Sequence, residues 1–229
     1  MTGDSVRTAI TSTAAGKGDA PPFLRVKVCG LTRVEDALAA ERAGADAVGF
    51  VFAPGSKRRI SPEEAAELSA ALGPFIARVG VFVDAPETDV ERAIETAGLS
   101  TVQFHGQEAP AYVARFRHRV KVIRATAFRP DVTPEAFHGY PADAVLLDAS
   151  VPGSGRTFDW QQAAAWRAHP RMLLAGGLTP QNVALAVASL RPFGVDVSSG
   201  VESAPGVKSA ELIQRFIRAA RGEGATSPR

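Results

Sequence analysis

The chain contains very little cysteine: Cys29 is the single thiol among 229 residues. One cysteine excludes an internal disulfide and any metal site built from several cysteines. The four histidines, at positions 105, 118, 138 and 169, also lack the spacing of metal ligands. We therefore expect no metal site.

Long apolar runs and an excess of one charge are missing as well. No stretch approaches the roughly 20 apolar residues that span a bilayer, and residues 1–22 lack the apolar centre of a signal peptide. The formal net charge is +2, and the one dense basic run, residues 56–59, is short. These features predict a cytoplasmic protein without a membrane or nucleic-acid partner.

Short apolar runs alternate with helical patterns from residue 24 to residue 221. About eight such units predict an α/β protein with a parallel sheet, closed as a single (β/α)8 (TIM) barrel over residues 23–221. An open, doubly wound sheet is the alternative, although no Gly-x-Gly-x-x-Gly opens a helix. By composition we expect residues 1–22 to be a disordered leader and residues 222–229 a loose tail. The predicted strands are Leu24–Cys29, Ala47–Phe52, Ile76–Val83, Thr101–Phe104, Val120–Thr126, Ala144–Asp148, Met172–Ala175 and Val195–Ser198.

Helices are expected between these strands. Ser61 with Pro62, and Thr179 with Pro180, look like helix starts, because each pairs a capping residue with a proline at the first helical position. Asp159 is a further candidate cap. The expected helices cover residues 33–43, 61–72, 87–97, 108–117, 133–138, 159–168, 180–190 and 208–221.

The alternation along the first strand places its polar residues inside the barrel. If Val26 and Val28 face the helices, Lys27 and Cys29 face inward. A lysine inside a barrel cannot remain unpaired, and Asp196 on the last strand is a candidate partner. A lone cysteine can equally be a small buried hydrophobic residue.

Other strand ends carry residues that can perform chemistry. By the same alternation Asp148 and Ser198 point inward at the barrel mouth, where such barrels place their active sites. Asp148 could be an acid or base, a ligand of sugar hydroxyls or a loop cap. The glycine-rich segment after it, residues 149–157, resembles a mobile lid. His105 could be a base, a hydrogen-bond donor or a structural residue.

Two loops and one arginine suggest an anionic ligand. The turns after the seventh and eighth predicted strands are rich in glycine and can bring backbone N–H groups close to a phosphate, although ordinary tight turns look similar. Arg58, in the basic run, could bind a substrate carboxylate or belong to a solvated charged patch. The residues proposed for the phosphate cradle are Gly176, Gly177, Ser199 and Gly200.

An ordered set of motifs over residues 24–220 resembles the phosphoribosylanthranilate isomerases of tryptophan biosynthesis. The set includes Val26–Thr32, Gly44–Phe52, Ser56–Pro62, Val79–Val83, Val102–Gly106, Leu146–Asp148, Gly155–Trp160, Ala175–Leu178 and Val195–Glu202. The resemblance implies a (β/α)8 barrel without metal or organic cofactor, acting on a small phosphorylated substrate.

The resemblance also implies roles for individual residues. Cys29 would be the general base, Asp148 the general acid and Arg58 the group that binds the anthranilate carboxylate. The resemblance places the phosphate on the four residues of the cradle, and beside them we expect His105, Asp196 and Ser198 to bind substrate. An aspartate acting as an acid must be kept protonated, and something must lower the pKa of the thiol; Lys27 is one candidate.

Other functions stay open on sequence grounds. They are a related phosphate-binding enzyme (an indole-glycerol-phosphate synthase, a sugar-phosphate epimerase or an isomerase serving both histidine and tryptophan synthesis) and a non-catalytic phosphate-binding scaffold. A monomer and a homodimer both fit a barrel of this size.

Overall fold

Eight parallel strands form a closed barrel in the computed structural model, which describes residues 23–149 and 157–223. Each strand pairs with the next, and the last pairs with the first. This confirms the barrel and rules out the open sheet. The strands are β1 (Arg25–Cys29), β2 (Ala47–Val51), β3 (Ala77–Phe82), β4 (Thr101–Phe104), β5 (Lys121–Ala127), β6 (Ala144–Asp148), β7 (Met172–Leu174) and β8 (Gly194–Val197).

Three predicted features lie outside the described residues: the leader at 1–22, the glycine-rich segment at 150–156, and residues 224–229 of the tail. In the part of the chain that is described, no helix is long and apolar enough to cross a membrane.

Within residues 23–149 and 157–223, six α-helices pack around the barrel: α1 (Val34–Arg42), α2 (Pro62–Ala71), α3 (Glu87–Ala97), α4 (Pro110–Ala114), α5 (Val183–Leu190) and α6 (Ala210–Arg221). The predicted start of α2 is confirmed. Ser61 accepts a hydrogen bond from the Glu64 backbone while the Glu64 carboxylate accepts one from the Ser61 backbone.

The predicted start of the helix at Thr179 and Pro180 is wrong. The side chain of Asn182 accepts a hydrogen bond from the Thr179 backbone at 2.8 Å, which holds residues 179–182 as a turn. Helix α5 therefore begins three residues later than expected, at Val183.

Two further predicted helices, at 133–138 and 159–168, are only single 3₁₀ turns, Pro134–Phe137 and Ala164–Ala168. The first ends before Gly139, whose φ of +76° cannot continue a helix. In the second, Asp159 accepts a hydrogen bond from the Gln161 backbone instead of capping a helix, and Pro170 prevents extension beyond His169.

The apolar side chains form two cores, one on each face of the sheet. The larger core lies between strands and helices and contains Val26, Val28 and Leu147. The smaller one fills the barrel and consists of Val79, Ile123, Ala125, Leu146, Leu173 and Ala175. This division confirms the predicted alternation, so Lys27 and Cys29 face the interior.

A short antiparallel ribbon, not expected from the sequence, follows β8. It comprises β9 (Glu202–Ala204) and β10 (Val207–Lys208), and it comes after a 3₁₀ turn at Ser199–Val201. The helix predicted over 208–221 thus starts at Ala210, because Lys208 belongs to the ribbon.

Candidate active site

A cavity of about 840 Å³ opens at the carboxyl ends of the strands. The strand ends of a parallel barrel meet here, which is why residues distant in sequence share one cavity. Nine of the ten predicted site residues line it: Cys29, Arg58, His105, Asp148, Gly176, Gly177, Asp196, Ser198 and Ser199. The tenth, Gly200, does not line the cavity but lies against Leu178 in the loop after β7, as described below.

A buried ion pair lies at the wall of the cavity, to which Asp196 contributes. Lys27 Nζ donates a hydrogen bond to Asp196 Oδ2 at 2.9 Å, and the two residues are direct register partners of β1 and β8. Burial alone would lower the pKa of Lys27, but Asp196 and Cys29 together outweigh it and raise that pKa. Burial also raises the pKa of Asp196, and Lys27 opposes that rise. The predicted pair is therefore confirmed, with Lys27 charged.

The Cys29 thiol lies next to this pair. Burial raises the pKa of Cys29, and Lys27 opposes the rise without cancelling it. Lys27 thus acts in the expected direction, but burial has the larger effect. Gly49 on β2 makes room for the thiol, since a Cβ at that position would lie 2.6 Å from Cys29 Sγ and 3.1 Å from Lys27 Cε.

Asp148 and His105 face each other across the next part of the cavity. Asp148 Oδ2 lies 3.4 Å from His105 Nε2, and Asp148 Oδ1 accepts a hydrogen bond from the Ala149 backbone at 2.7 Å. Among the described residues, three buried polar atoms of cavity-lining side chains have no hydrogen-bond partner: Gln103 Oε1, His105 Nε2 and Asp196 Oδ1. A ligand rich in hydroxyl groups could satisfy all three.

The loops after β7 and β8 require glycine. Gly176 and Gly177 have φ angles of +85° and +63°, which favour glycine. A Cβ at Gly200 would overlap the carbonyl oxygen of Leu178. The two loops therefore touch each other, and the predicted cradle of Gly176, Gly177, Ser199 and Gly200 is brought together in space.

Arg58 has a partner that the sequence analysis missed. Its Nε and Nη2 atoms donate to the two carboxylate oxygens of Glu202 at 2.6 and 2.7 Å. Glu202 also accepts a hydrogen bond from Lys208 Nζ at 2.9 Å. The basic run at 56–59 did point to Arg58, but neither partner carries a sequence signal, because both lie in strands too short to show alternation.

Comparison with protein families identifies relatives of the whole barrel. The family model described as N-(5'phosphoribosyl)anthranilate (PRA) isomerase matches residues 26–219. An N-(5'-phosphoribosyl)anthranilate isomerase of Pelobacter propionicus is 46% identical over 211 residues, which cover 90% of this chain and 100% of that protein.

Solved structures give the same result. The phosphoribosylanthranilate isomerase of Thermus thermophilus has a TM-score of 0.81 at 47% identity, covering 86% of this chain and 98% of that one. A second isomerase, solved in complex with reduced 1-(o-carboxyphenylamino)-1-deoxyribulose 5-phosphate, has a TM-score of 0.78 at 40% identity, covering 87% and 100%.

The environment of Cys29 predicts how its reactivity depends on pH. Alkylation by iodoacetamide should accelerate as the pH rises through a pKa above the usual thiol value, because burial disfavours the thiolate. Lys27→Met should move the midpoint to still higher pH, since the ammonium stabilises the thiolate. Alkylation rates followed by mass spectrometry across pH report on this residue alone, as the chain has no other cysteine.

Lys27→Met also leaves the Asp196 carboxylate buried without its partner, so Lys27→Met/Asp196→Asn is the matched control. The double variant should shift the midpoint less than Lys27→Met does, because the Asp196 carboxylate, which raises the pKa of Cys29, is removed as well. An unchanged midpoint in Lys27→Met would contradict the role assigned to Lys27.

Proposed function

The chain belongs to the N-(5'-phosphoribosyl)anthranilate isomerase family. On this basis we propose a role in the reaction for each residue at the mouth of the barrel. The enzyme converts N-(5'-phosphoribosyl)anthranilate into 1-(2-carboxyphenylamino)-1-deoxyribulose 5-phosphate, an Amadori rearrangement. The observation that carries the assignment is the placement of Cys29 and Asp148, on β1 and β6, in the wall of one cavity. Similarity to isomerases over the whole length of those relatives favours this function over the synthase, epimerase and scaffold alternatives.

Asp148 is the proposed general acid. Its proton goes to the ring oxygen of the ribose, the bond from C1 to that oxygen breaks, and the nitrogen lone pair forms a C1=N Schiff base. His105 Nε2 lies 3.4 Å from Asp148 Oδ2 without a hydrogen bond, close enough that a small rotation of the ring would let it hydrogen-bond and orient the carboxyl group. The hydrogen bond from the Ala149 backbone to Oδ1 leaves Oδ2 as the oxygen that faces His105.

Cys29 is the proposed general base. Its thiolate removes the proton on C2, and the electron pair of that C–H bond moves toward the Schiff base and gives an enolamine. Transfer of the enol proton and protonation of C1 then yield the ketone, so the overall reaction neither gains nor loses atoms. A raised pKa makes the thiolate scarcer but also a stronger base, and Lys27 keeps it accessible.

The two ends of the substrate carry negative charge, and the cavity offers a site for each. The N–H groups around Gly177, Ser199 and Gly200 suit the phosphate, as expected for loops after the seventh and eighth strands of such a barrel. Arg58 suits the anthranilate carboxylate. Between them, Asp196 and Ser198 are placed to bind the ribose hydroxyls.

The acid and the base should each be essential. Cys29→Ser replaces the thiol with a far weaker base of similar size, and Asp148→Asn keeps the shape but cannot release a proton. Each change should lower kcat by about 10²–10⁴-fold, the range for a positioned acid or base. Loss of substrate fluorescence measures the rate, and circular dichroism checks folding.

The two losses should differ in kind. Asp148→Asn blocks ring opening, whereas Cys29→Ala allows the ring to open and the Schiff base to accumulate. Near-normal turnover in Cys29→Ala would remove Cys29 from the mechanism and make His105 the next candidate base.

Arg58 should affect binding more than chemistry. Arg58→Lys should raise KM with a smaller change in kcat, because an ammonium cannot reproduce the planar fork of the guanidinium. Arg59→Lys is the matched control, since Arg59 is exposed and is not among the residues that line the cavity. A large loss confined to kcat would contradict the assignment.

We also propose that residues 23–221 are the complete catalytic domain, which acts as a monomer or a homodimer in the cytoplasm. Strand β1 begins at Arg25 and the family match begins at residue 26. Deleting residues 1–21 should therefore leave kcat/KM and the melting temperature nearly unchanged. A drop in either, measured on the purified deletion variant, would assign residues 1–21 a role in the barrel.

A further inference from the structure

The ribbon of β9 and β10 lies outside the eight-stranded barrel, at the edge of the cavity. Glu202 and Lys208 are cross-strand register partners in this ribbon, and Gly206, with a φ of +80°, turns the chain between its strands. The Lys208 side chain has no exposed surface and that of Glu202 is 7% exposed. Charged groups buried this deeply need specific partners.

The ribbon is tied to the two segments that carry the site. Thr32, in the loop after Cys29, donates a hydrogen bond to the Gly206 carbonyl at 2.8 Å. The Lys208 backbone donates to the buried carboxylate of Asp36 at 3.0 Å. Lys208 Nζ donates to the carbonyl of Ser198, next to the phosphate cradle, at 3.1 Å. The position of the ribbon is therefore fixed relative to both ends of the expected substrate.

Glu202 uses only one edge of the Arg58 guanidinium. A guanidinium has a side-on edge, formed by Nε and one terminal nitrogen, and an end-on edge, formed by the two terminal nitrogens. Glu202 binds the side-on edge through Nε and Nη2. Within the described residues Nη1 makes no hydrogen bond, so the end-on edge is left for a ligand.

The aliphatic part of the Arg58 side chain is also fixed in position, by close contact with Gly30. Gly30, which directly follows Cys29, has a φ of +73°, and a Cβ there would overlap Arg58 Cδ. The arginine therefore lies flat against the backbone next to the proposed base. Its direction is set from two sides, by Gly30 and by Glu202.

Arg58, Glu202 and Lys208 form one hydrogen-bonded cluster, and its charges leave one positive charge for the ligand. With Arg58 and Lys208 protonated and Glu202 ionised, the three side chains carry one net positive charge. Burial lowers the pKa of Lys208, and the hydrogen bond to Glu202 opposes that fall. Burial alone would raise the pKa of Glu202, but the hydrogen bonds from Arg58 and Lys208 outweigh it and lower that pKa. Without Lys208, Glu202 would neutralise Arg58. With Lys208, the cluster keeps a net charge that matches a single carboxylate.

We propose that Glu202 and Lys208 are positioning residues for recognition of the substrate carboxylate. Lys208 holds Glu202, Glu202 holds the side-on edge of Arg58, and the end-on edge is thereby presented to the anthranilate carboxylate. This inference rests on the proposed function.

The test compares the substrate with phosphoribosylaniline, which lacks the carboxylate, in the wild-type enzyme, Glu202→Gln and Lys208→Met. In Glu202→Gln the KM for the carboxylate-bearing substrate should rise about 10–100-fold, as for a lost charge-assisted bidentate contact. Its kcat should change much less. The kinetics of phosphoribosylaniline should barely change, because this compound makes no use of Arg58.

Two further measurements show whether Lys208 acts through Glu202. In the double variant Glu202→Gln/Lys208→Met, the second change should add little to the first. Inhibition by inorganic phosphate should be unaltered in Glu202→Gln, which shows that the cradle is intact. Lys121→Met is the control, because Lys121 pairs with Asp143 at an exposed position on β5.

Equal losses with both substrates would mean that the pair is merely structural and would overturn the proposal. A lower KM in Glu202→Gln would also overturn it, because Glu202 would then compete with the substrate for Arg58. A failure of the proposed function would look different: the wild type would not turn over the substrate, or Arg58→Met would leave discrimination between the two compounds unchanged.

Discussion

The buried ion pair of Lys27 and Asp196 supports both the barrel and its site. The two residues face each other across the junction of β1 and β8, where the sheet closes on itself. Their charges replace apolar contacts at the centre of the interior, an arrangement that is costly unless both partners are present. The same ammonium lies beside Cys29 and stabilises its thiolate. One of the register pairs that close the sheet therefore also influences the ionisation of the thiol.

Much of this arrangement could be predicted from the sequence because strand alternation is a local property. The valines at 26 and 28 fix the inward direction of Cys29, and the run before Asp148 does the same on β6. The glycines after β7 and β8 were also visible, since positive φ angles and close approach leave few other residues. Resemblance to a known family then supplied roles that alternation alone left open.

The rest could not be predicted, because it depends on tertiary context. The segments near Phe137 and Trp166 form only 3₁₀ turns, because Gly139 and Pro170 stop each helix after a few residues. A prediction from apolar periodicity does not take such helix-breaking residues into account. The partner of Arg58 was hidden for another reason. Glu202 is 144 residues away from Arg58 in the sequence. The strands of the ribbon that carries Glu202 are only three and two residues long, too short for any periodic pattern.

The ribbon has a consequence for the order in which the protein folds. Its contacts join residues 172 and 174 positions apart, as in Asp36 with Lys208 and Thr32 with Gly206, and the Lys27 contact spans 169. Contacts at such separations form late, because the chain entropy lost in closing a large loop is not recovered until the intervening units are in place. A nascent chain whose residues from 199 onward are still inside the ribosome lacks the folded ribbon and α6, so Arg58 has neither Glu202 nor the support of Lys208. The surroundings of Arg58 are therefore completed late in synthesis, when β1 and the loop after it meet β8 and the ribbon.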